Sequence, residues 1–284
     1  MSQFSRIILL DNGSLSPEAT LRLRFIAEAL SNRIGCGVDP VSARYSDRIA
    51  AEQLEGVEAD VLKSYLKRQI SSGDRSFLVL PLFFGESDAL VAYIPKVFGE
   101  LREELGDIRV SYARPLVDLE NESDDALARI LVDSLREKMD TVPFSGFNKV
   151  LLLDHGSPRS QVAACRDLVG RQMSCLLGES VSEVIPCSME RRDGEEYDFN
   201  EPLLGRVLEE LDPRKEETLW LSYLFLFPGR HAGAGGDIDQ ICEHSPWFKK
   251  GGMLNKGSLV GELDGLVGLL ESRYQSLVKE SESF

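Results

Sequence analysis

The sequence predicts an α/β protein built from two similar, doubly wound parallel-sheet domains. Short apolar runs, typical of buried parallel strands, alternate along the chain with longer segments whose apolar residues recur at helical spacing. Strands and helices that alternate in this way favour a parallel sheet covered by helices. The order of elements restarts after a linker near Pro143 and Gly146, so we expect an internal duplication with domains at residues 1–142 and 148–284.

The first half contains four predicted strands, each followed by a predicted helix. Ser16 and Pro17 are typical of a helix start, Gly35 ends that helix, and Pro95 begins a later one. The other boundaries follow from the change between continuous apolar runs and helical spacing. The predicted strands are 7–10, 38–43, 77–84 and 108–113, and the predicted helices are 18–31, 50–71, 94–105 and 124–138.

The second half repeats this pattern with three predicted strands. Its first strand ends in Asp-His-Gly-Ser at 154–157, which delivers a histidine to the carboxyl end of a buried strand, where open α/β sheets bind ligands. The matching stretch of the first half, 11–14, reads Asp-Asn-Gly-Ser, so the histidine is lost there. The predicted strands are 150–153, 181–187 and 218–227, and the predicted helices are 160–177, 202–211, 238–248 and 263–279.

Composition and charge narrow the classes of function. The 284 residues include 47 acidic and 32 basic ones, a net charge of −15 that disfavours binding to nucleic acid or to an anionic membrane. No apolar run approaches the roughly 20 residues of a membrane-spanning helix, and the amino terminus has no signal-peptide core. The five cysteines are scattered, without a CxxC pair or a disulfide framework. We therefore expect a cytoplasmic protein.

Three positions of the repeated pattern differ in chemistry between the halves. The aligned pairs are Asn12 and His155, Arg44 and Glu190, and Ser87 and His231, at offsets of 143, 146 and 144 residues. Every one of these groups that could bind a metal or exchange a proton near neutral pH lies in the second half. Each follows a predicted strand, so the three should meet at one edge of a parallel sheet. Two imidazoles and a carboxylate suit a divalent metal with open positions, and they suit proton abstraction equally well.

Each of these residues could instead have an ordinary structural role. A single histidine after a strand is more often a turn residue than a ligand, and Glu190 begins a charged run, 190–196, typical of solvated loops. The equivalent position in each half is an aspartate, Asp11 in the first and Asp154 in the second, which favours a role in shaping the turn. The glycines around His231 leave room for a large flat ligand, but they form neither a dinucleotide fingerprint nor a Walker loop. The joint pattern favours a three-residue site.

With these residues in place, the chain resembles the class II, ATP-independent chelatases, most closely the CbiX-type sirohydrochlorin chelatases. The matching pieces are residues 152–157, the extended segment that ends at Glu190, residues 201–204, and residues 227–231 with Asp237 and Ile238 downstream. They span most of residues 148–284, and the first half follows the same scaffold in degenerate form.

The resemblance implies two doubly wound units that face each other across a cleft. It also implies insertion of Co²⁺ or Fe²⁺ (Ni²⁺ in relatives) into sirohydrochlorin or a related tetrapyrrole on the cobalamin or sirohaem pathways. His155 and His231 would be the metal-binding and proton-accepting imidazoles, and Glu190 their acidic partner. The metal would be a substrate, with no tightly bound cofactor and no nucleotide.

A polycarboxylate tetrapyrrole also needs polar and cationic contacts in this acidic protein. The candidates for substrate binding are Ser157, Arg159, Arg191, Arg230, Gly233 and Gly235, with Arg192, Lys249 and Lys250 as further cations that flank the site. The ordinary alternative for each of these cations is a solvated surface charge.

Other functions fit the same sequence. The alternatives are a chelatase for protoporphyrin or another tetrapyrrole, a non-catalytic tetrapyrrole- or metal-binding carrier or regulator, and a structural protein without a ligand. The eroded first half indicates a scaffold that tolerates loss of the site. Two fused halves suffice for the expected cleft, so both a monomer with pseudo-two-fold halves and a homodimer are compatible with the sequence.

Overall fold

The computed structural model of the protein describes residues 4–142, 147–211, 213 and 217–282. The chain forms two compact units, the first made of Met1–Leu116 with Val267–Phe284 and the second of Val117–Leu266. Each contains a four-stranded parallel sheet, which confirms the predicted fold class.

The first sheet has the strand order β2-β1-β3-β4. Its strands are β1 (Arg6–Asp11), β2 (Val38–Ser42), β3 (Ser76–Pro81) and β4 (Arg109–Tyr112), and its helices are α1 (Pro17–Ile34), α2 (Leu62–Ser71) and α3 (Ile94–Leu105). Because β1 lies between two neighbours and under helices, Ile8, Leu9 and Leu10 are fully buried. A continuous apolar strand is what such a position requires.

The second sheet repeats this order as β6-β5-β7-β8. Its strands are β5 (Phe147–Asp154), β6 (Glu183–Ser188), β7 (Glu217–Tyr223) and β8 (Met253–Lys256), and its helices include α5 (Ser160–Leu177), α6 (Leu204–Glu210), α7 (Asp237–His244) and α8 (Pro246–Lys249). The central strand β5 is again buried, with Val150, Leu151, Leu152 and Leu153 all at 0% exposure. The repeated strand order gives the predicted duplication a structural counterpart.

The last helix of each sequence half belongs mainly to the compact unit formed by the other half. α4 (Ala126–Thr141) belongs to the second unit, where Arg136 on it donates a hydrogen bond to the Leu176 carbonyl at 2.6 Å. α9 (Gly265–Glu282) lies mostly in the first unit, where Arg273 donates to the Pro115 carbonyl at 3.0 Å. The predicted domain boundaries at 142 and 148 follow the sequence repeat. The compact units have different boundaries, because each of them includes the last helix of the other half.

The predicted helix at 50–71 is wrong over its first half. Residues Ala51–Leu54 form one 3-10 turn, and Glu55 and Gly56 follow with φ of 59° and 81°. Two successive residues in the left-handed region cannot continue a right-handed helix. The chain then runs extended to Val61, which bridges to Ser42 beside β2, and α2 starts only at Leu62.

The sequence prediction misses β8 and places one helix where the structure has two. β8 is four residues long and half exposed, so it carries no strong apolar signal. β8 lies 144 residues after β4, which is the offset of the repeat, so the repeat could have been used to predict this strand. The predicted helix 238–248 divides into α7 and α8 at Ser245, because Pro246 lacks the N–H that a continuing helix needs. The predicted strand 218–227 ends at Tyr223.

Within the described residues, no helix is both long and apolar enough to span a bilayer.

Asp11, at the carboxyl end of β1, makes the stability of the first unit depend on pH. Burial raises the pKa of this carboxyl from 3.8 to about 6, against the lowering effect of hydrogen bonds from Ser42 and the Gly13 N–H, and its Oδ1 has no partner. Since the folded pKa exceeds the unfolded one, the native state binds more protons between about pH 4 and 6, and stability falls as pH rises through that window.

We therefore expect Asp11→Asn to gain stability relative to the unaltered protein as pH rises. The difference in unfolding free energy between variant and unaltered protein should shift by about 2–3 kcal/mol from pH 4 to pH 7 in favour of the variant. Urea denaturation at both pH values measures it. A difference that is the same at both pH values would contradict the argument.

Candidate active site at the edge of the second sheet

Three adjacent strands of the second sheet, β6, β5 and β7, end together. Asp154 pairs with Ser188 at the end of β5 and β6, and Leu153 pairs with Tyr223 at the end of β5 and β7. Because the strands are parallel, the segments that follow them leave at one edge. The structure therefore brings His155, Glu190 and His231 together at this edge, as the sequence pattern predicts.

A glycine holds the first two segments in contact. Gly156 has a φ of 93°, and a Cβ on it would lie 1.9 Å from the Glu190 carbonyl oxygen, so no other residue fits. The backbones are also joined by a hydrogen bond from the Glu190 N–H to the His155 carbonyl at 3.2 Å. The first unit has the same arrangement, with Gly13 at a φ of 87° and 1.8 Å from the Arg44 carbonyl oxygen. The turn is thus a shared feature of both halves, and only its side chains differ.

Gly156→Ala should displace Glu190 from His155. The added methyl group must move one of the two segments and must also adopt an unfavourable positive φ, so we expect a loss of about 2 kcal/mol in stability and a large loss of any activity. Unfolding in urea and an activity assay on the same preparation measure both effects. Gly178→Ala is a matched control, since Gly178 also has a positive φ but nothing lies within 4 Å of its added Cβ. Equal effects of the two variants would show that backbone strain, rather than the close approach, is responsible.

The two imidazoles meet through their Nε2 atoms. His155 Nε2 and His231 Nε2 are 3.2 Å apart, and the rings are nearly perpendicular, at 75°, with centroids 4.6 Å apart. Glu190 Oε1 lies 3.6 Å from His155 Nε2. The other nitrogen of each ring has a separate acceptor.

These acceptors favour the neutral tautomers that carry the hydrogen on Nδ1. His231 Nδ1 lies 2.7 Å from the carboxylate oxygen Oδ2 of Asp237, and His155 Nδ1 lies 3.2 Å from the carbonyl oxygen of Gly156. Neither oxygen can donate, so each contact is a hydrogen bond only if Nδ1 carries the hydrogen. Both Nε2 atoms then present lone pairs to each other at 3.2 Å. That arrangement is repulsive unless a proton or a metal cation lies between them.

The site is open to solvent. The side chains of His155, Glu190 and His231 are 45%, 61% and 30% exposed. Within the described part of the chain, no cluster of three or more His, Cys, Asp or Glu side chains is arranged to hold a metal ion. The edge therefore offers two converging imidazoles with a carboxylate beside one of them, unlike a closed structural site with four ligands.

The glycines before α7 serve the packing of the chain itself. A Cβ on Gly236 would lie 2.5 Å from the Arg230 carbonyl oxygen and 2.6 Å from that of His231, and one on Gly233 would lie 2.6 Å from the Gly229 carbonyl oxygen. The turn they permit returns Asp237 to the ring of His231. Gly235, by contrast, has nothing within 4 Å of an added Cβ.

The residues predicted to bind substrate have different surroundings. Arg191 is engaged within the protein, by Glu201 at 3.0 Å and Asp198 at 2.9 Å. Arg230 is 83% exposed and lies 3.4 Å from Asp237. The hydroxyl of Ser157 accepts a hydrogen bond from the Arg159 N–H at 3.1 Å. This hydrogen bond shapes the turn before α5.

Sequence reasoning missed a buried network beneath the site. Arg166 on α5 is 1% exposed and donates to the Ser188 hydroxyl, to the Asn200 carbonyl at 3.2 Å and to the Phe199 carbonyl at 3.1 Å. It also lies 3.7 Å from Asp154. Burial raises the pKa of Asp154, and the charge of Arg166 opposes this rise. The repeat offset of 143 aligns Arg166 with the buried Leu23 of α1. An arginine on an otherwise apolar helix face was therefore the sequence signal that could have indicated this buried network.

Asn200 was missed as well, and it fixes the turn that carries His155. It is fully buried, its Oδ1 accepts from the Ser157 N–H at 2.9 Å, and its Nδ2 donates to the Ser157 carbonyl at 3.0 Å. Since Arg166 binds the carbonyl of Asn200, the network joins α5, the segment after β6 and the turn after β5. It holds the backbone on which His155 and Glu190 are placed.

Solved structures of chelatases share this architecture. SirB from Bacillus subtilis with Fe³⁺ matches with a TM-score of 0.72 at 17% identity, over 98% of this chain and 97% of that one. The sirohydrochlorin chelatase SirB from Bacillus subtilis subspecies spizizenii in complex with cobalt gives 0.68 at 15% identity, with the same coverage. CbiX, the terminal enzyme for biosynthesis of siroheme in denitrifying bacteria, gives 0.56 at 12% identity, over 95% of this chain and 98% of that one.

No family model and no curated protein matches the sequence. At such low identities the likeness concerns the fold, and it covers both units from end to end. The chain therefore has the CbiX-type chelatase fold, with two four-stranded parallel sheets and their surrounding helices.

Proposed function

We propose that the protein is an ATP-independent chelatase that inserts a divalent metal, Co²⁺ or Fe²⁺, into sirohydrochlorin or a related tetrapyrrole. The observation that carries the proposal is the pair of Nε2 atoms 3.2 Å apart, each freed to act as a ligand because its Nδ1 has an acceptor. A carboxylate beside one of them adds the negative charge that a dication needs.

The separation of the nitrogens suits one shared cation. An ion at about 2.1 Å from both Nε2 atoms would subtend an angle of about 100° between them, near the values of tetrahedral and octahedral coordination. Glu190 would approach the same ion from the side of His155. Two neutral nitrogens and an exposed carboxylate bind an ion loosely, as a substrate metal requires, because the ion must leave for the macrocycle.

The same nitrogens serve as proton acceptors. A tetrapyrrole loses two pyrrole N–H protons as the metal enters, and a neutral imidazole accepts a proton near pH 7. The contact between His231 Nδ1 and the carboxylate of Asp237 orients the ring, so that Nε2 faces His155. The exposure of His155 and Glu190 gives the protons a route to water.

The comparisons support the choice of metal and macrocycle. One SirB structure is described with Fe³⁺ and another with cobalt, and the second protein is named as a sirohydrochlorin chelatase. The five free thiols support a reducing, cytoplasmic setting for the reaction. A tetrapyrrole that carries carboxylates would be the partner, and neither nucleic acid nor a membrane is required.

The test is a metallation assay. Purified protein is mixed with sirohydrochlorin and Co²⁺, without ATP, and the absorbance change of metallation is compared with a protein-free control. We expect acceleration with Co²⁺ or Fe²⁺. No acceleration with Co²⁺, Fe²⁺ or Ni²⁺ would overturn the proposal for this substrate. Tight binding of the metallated product without any acceleration of metal insertion would favour a carrier or regulator instead.

A further inference from the structure

The place of Glu190 in the second unit is taken by Arg44 in the first. The equivalence is geometric, because the carbonyl of Arg44 packs against Gly13 as the carbonyl of Glu190 packs against Gly156. The backbone at this edge is thus retained, while the charge that it presents is inverted. A position suited to a cation in one unit is suited to an anion in the other.

Arg44 is held flat and has no acidic partner. Its guanidinium lies 3.6 Å from the centroid of the Tyr93 ring, a stacking contact that fixes the plane of the fork. Its Nε is buried and has no hydrogen-bond acceptor. Some arginines of this unit are paired with carboxylates, as Arg6 is with Asp74 and Arg68 with Asp60. Among the described residues, Arg44 has no carboxylate partner, and its guanidinium contacts the Tyr93 ring.

The loop that carries Arg44 is fixed by its own hydrogen bonds. Ser46, which is fully buried, donates to the Ser42 hydroxyl at 2.9 Å, and its own hydroxyl accepts from the Ser14 N–H at 3.3 Å. Tyr45 has a φ of 72°, a strained value for an aromatic residue. The guanidinium is therefore presented by a preorganised loop, which lowers the entropy cost of binding a ligand.

The other two aligned positions at this edge carry neutral side chains. Asn12 stands where the second unit has His155, and its exposed amide can both donate and accept. Ser87 stands where the second unit has His231. The three aligned positions thus supply hydrogen bonds and one positive charge, with neither an imidazole nor a carboxylate among them.

We infer that this edge of the first unit is a binding site for a carboxylate group, with Arg44 as its cation and Asn12 as a neighbouring donor. A guanidinium with one face stacked and its edge unpaired matches the planar fork of a carboxylate. The inference rests on the proposed function, which supplies the ligand: the acetate and propionate side chains of a tetrapyrrole.

The test is binding of metal-free sirohydrochlorin in the presence of EDTA, followed by tetrapyrrole fluorescence. Arg44→Met keeps an unbranched apolar stem and removes the charged guanidinium, and we expect the Kd to rise about tenfold or more, the size of one charge-assisted contact. Arg44→Lys should be intermediate, because it keeps the charge and loses the fork. Arg68→Met is the matched control, since Arg68 also lies over a tyrosine ring, at 5.6 Å, and is already paired with Asp60.

The outcomes separate this inference from the proposed function. Binding that is equally tight in the unaltered protein, Arg44→Met and Arg68→Met would overturn the inference, whatever the insertion rate. Binding that depends on Arg44 in a protein without insertion activity would support it and overturn the proposed function. No binding of sirohydrochlorin by the unaltered protein would overturn both. A shared thermal midpoint and circular dichroism spectrum exclude misfolding as the cause of weaker binding.

Discussion

His155→Ala and His231→Ala should each lower the rate of metal insertion by two orders of magnitude or more. Either change removes one of the two converging Nε2 atoms, which we propose as metal ligands and proton acceptors. A positioned acid–base group contributes about 10²–10⁴-fold, so the loss of one that also holds the metal should lie within or above this range. The absorbance assay with Co²⁺ and sirohydrochlorin measures the rate.

His244→Ala is the control for this pair. His244 is the third histidine of the chain, and its ring lies against the Gln240 carbonyl at 2.7 Å rather than against another imidazole. Its replacement should leave the rate unchanged. The double variant of His155 and His231 should be little slower than either single variant, because the two rings act on one ion. Single variants that retain the full rate would exclude this edge as the active site.

Arg166→Leu should destabilise the second unit by about 3–5 kcal/mol. It leaves the buried Asp154 without its cation and leaves the Phe199 and Asn200 carbonyls without their donor, and removing one partner of a buried ion pair typically costs this much. Leucine fits the helix face, since Leu23 occupies the equivalent position in the first unit. The loss would thus come from unpaired polar groups rather than from shape.

The two tryptophans make this measurement specific. Trp220 and Trp247 are both buried in the second unit, so their fluorescence during urea unfolding reports that unit. Arg171→Leu, an exposed site on the same helix, should change stability by no more than about 0.5 kcal/mol. Adding Asp154→Asn to Arg166→Leu should recover part of the loss, because it removes the unpaired charge. A cost below about 1 kcal/mol for Arg166→Leu would show that the network carries little of the stability.

The sequence predicted well those features that depend on local periodicity. The strands β1 and β5 are continuous apolar runs because both faces are covered, and the helices α3 and α5 begin and end where their apolar spacing does. It failed where the signal was weak or broken. β8 is too short and exposed to show a pattern, and the positive φ of Glu55 and Gly56 interrupts apolar spacing that otherwise fits a helix.

The sequence predicted which residues meet at this edge, but it did not predict how they are arranged there. The repeat placed His155, Glu190 and His231 after three strands, and a parallel sheet brings such positions to one edge. The proton positions on the imidazoles depend on Asp237 and on the Gly156 carbonyl, whose approach to the rings is set by the turns. The engagement of Arg191 by Glu201 and Asp198, which occupies a predicted substrate contact, depends on how the loop after β6 folds back.

The sequence by itself determined the alternation of strands and helices, the duplication, and the confinement of both site imidazoles to the second half, because each of these is written in residue types at regular spacing. Only the tertiary structure decided that the closing helices α4 and α9 lie outside the compact units of their own halves, and that Arg166 and Asn200 support the turn of His155. These features depend on contacts between residues far apart in the chain. Such contacts leave no periodic trace in the sequence, because burial of a polar group is favourable only once the fold has supplied its partners.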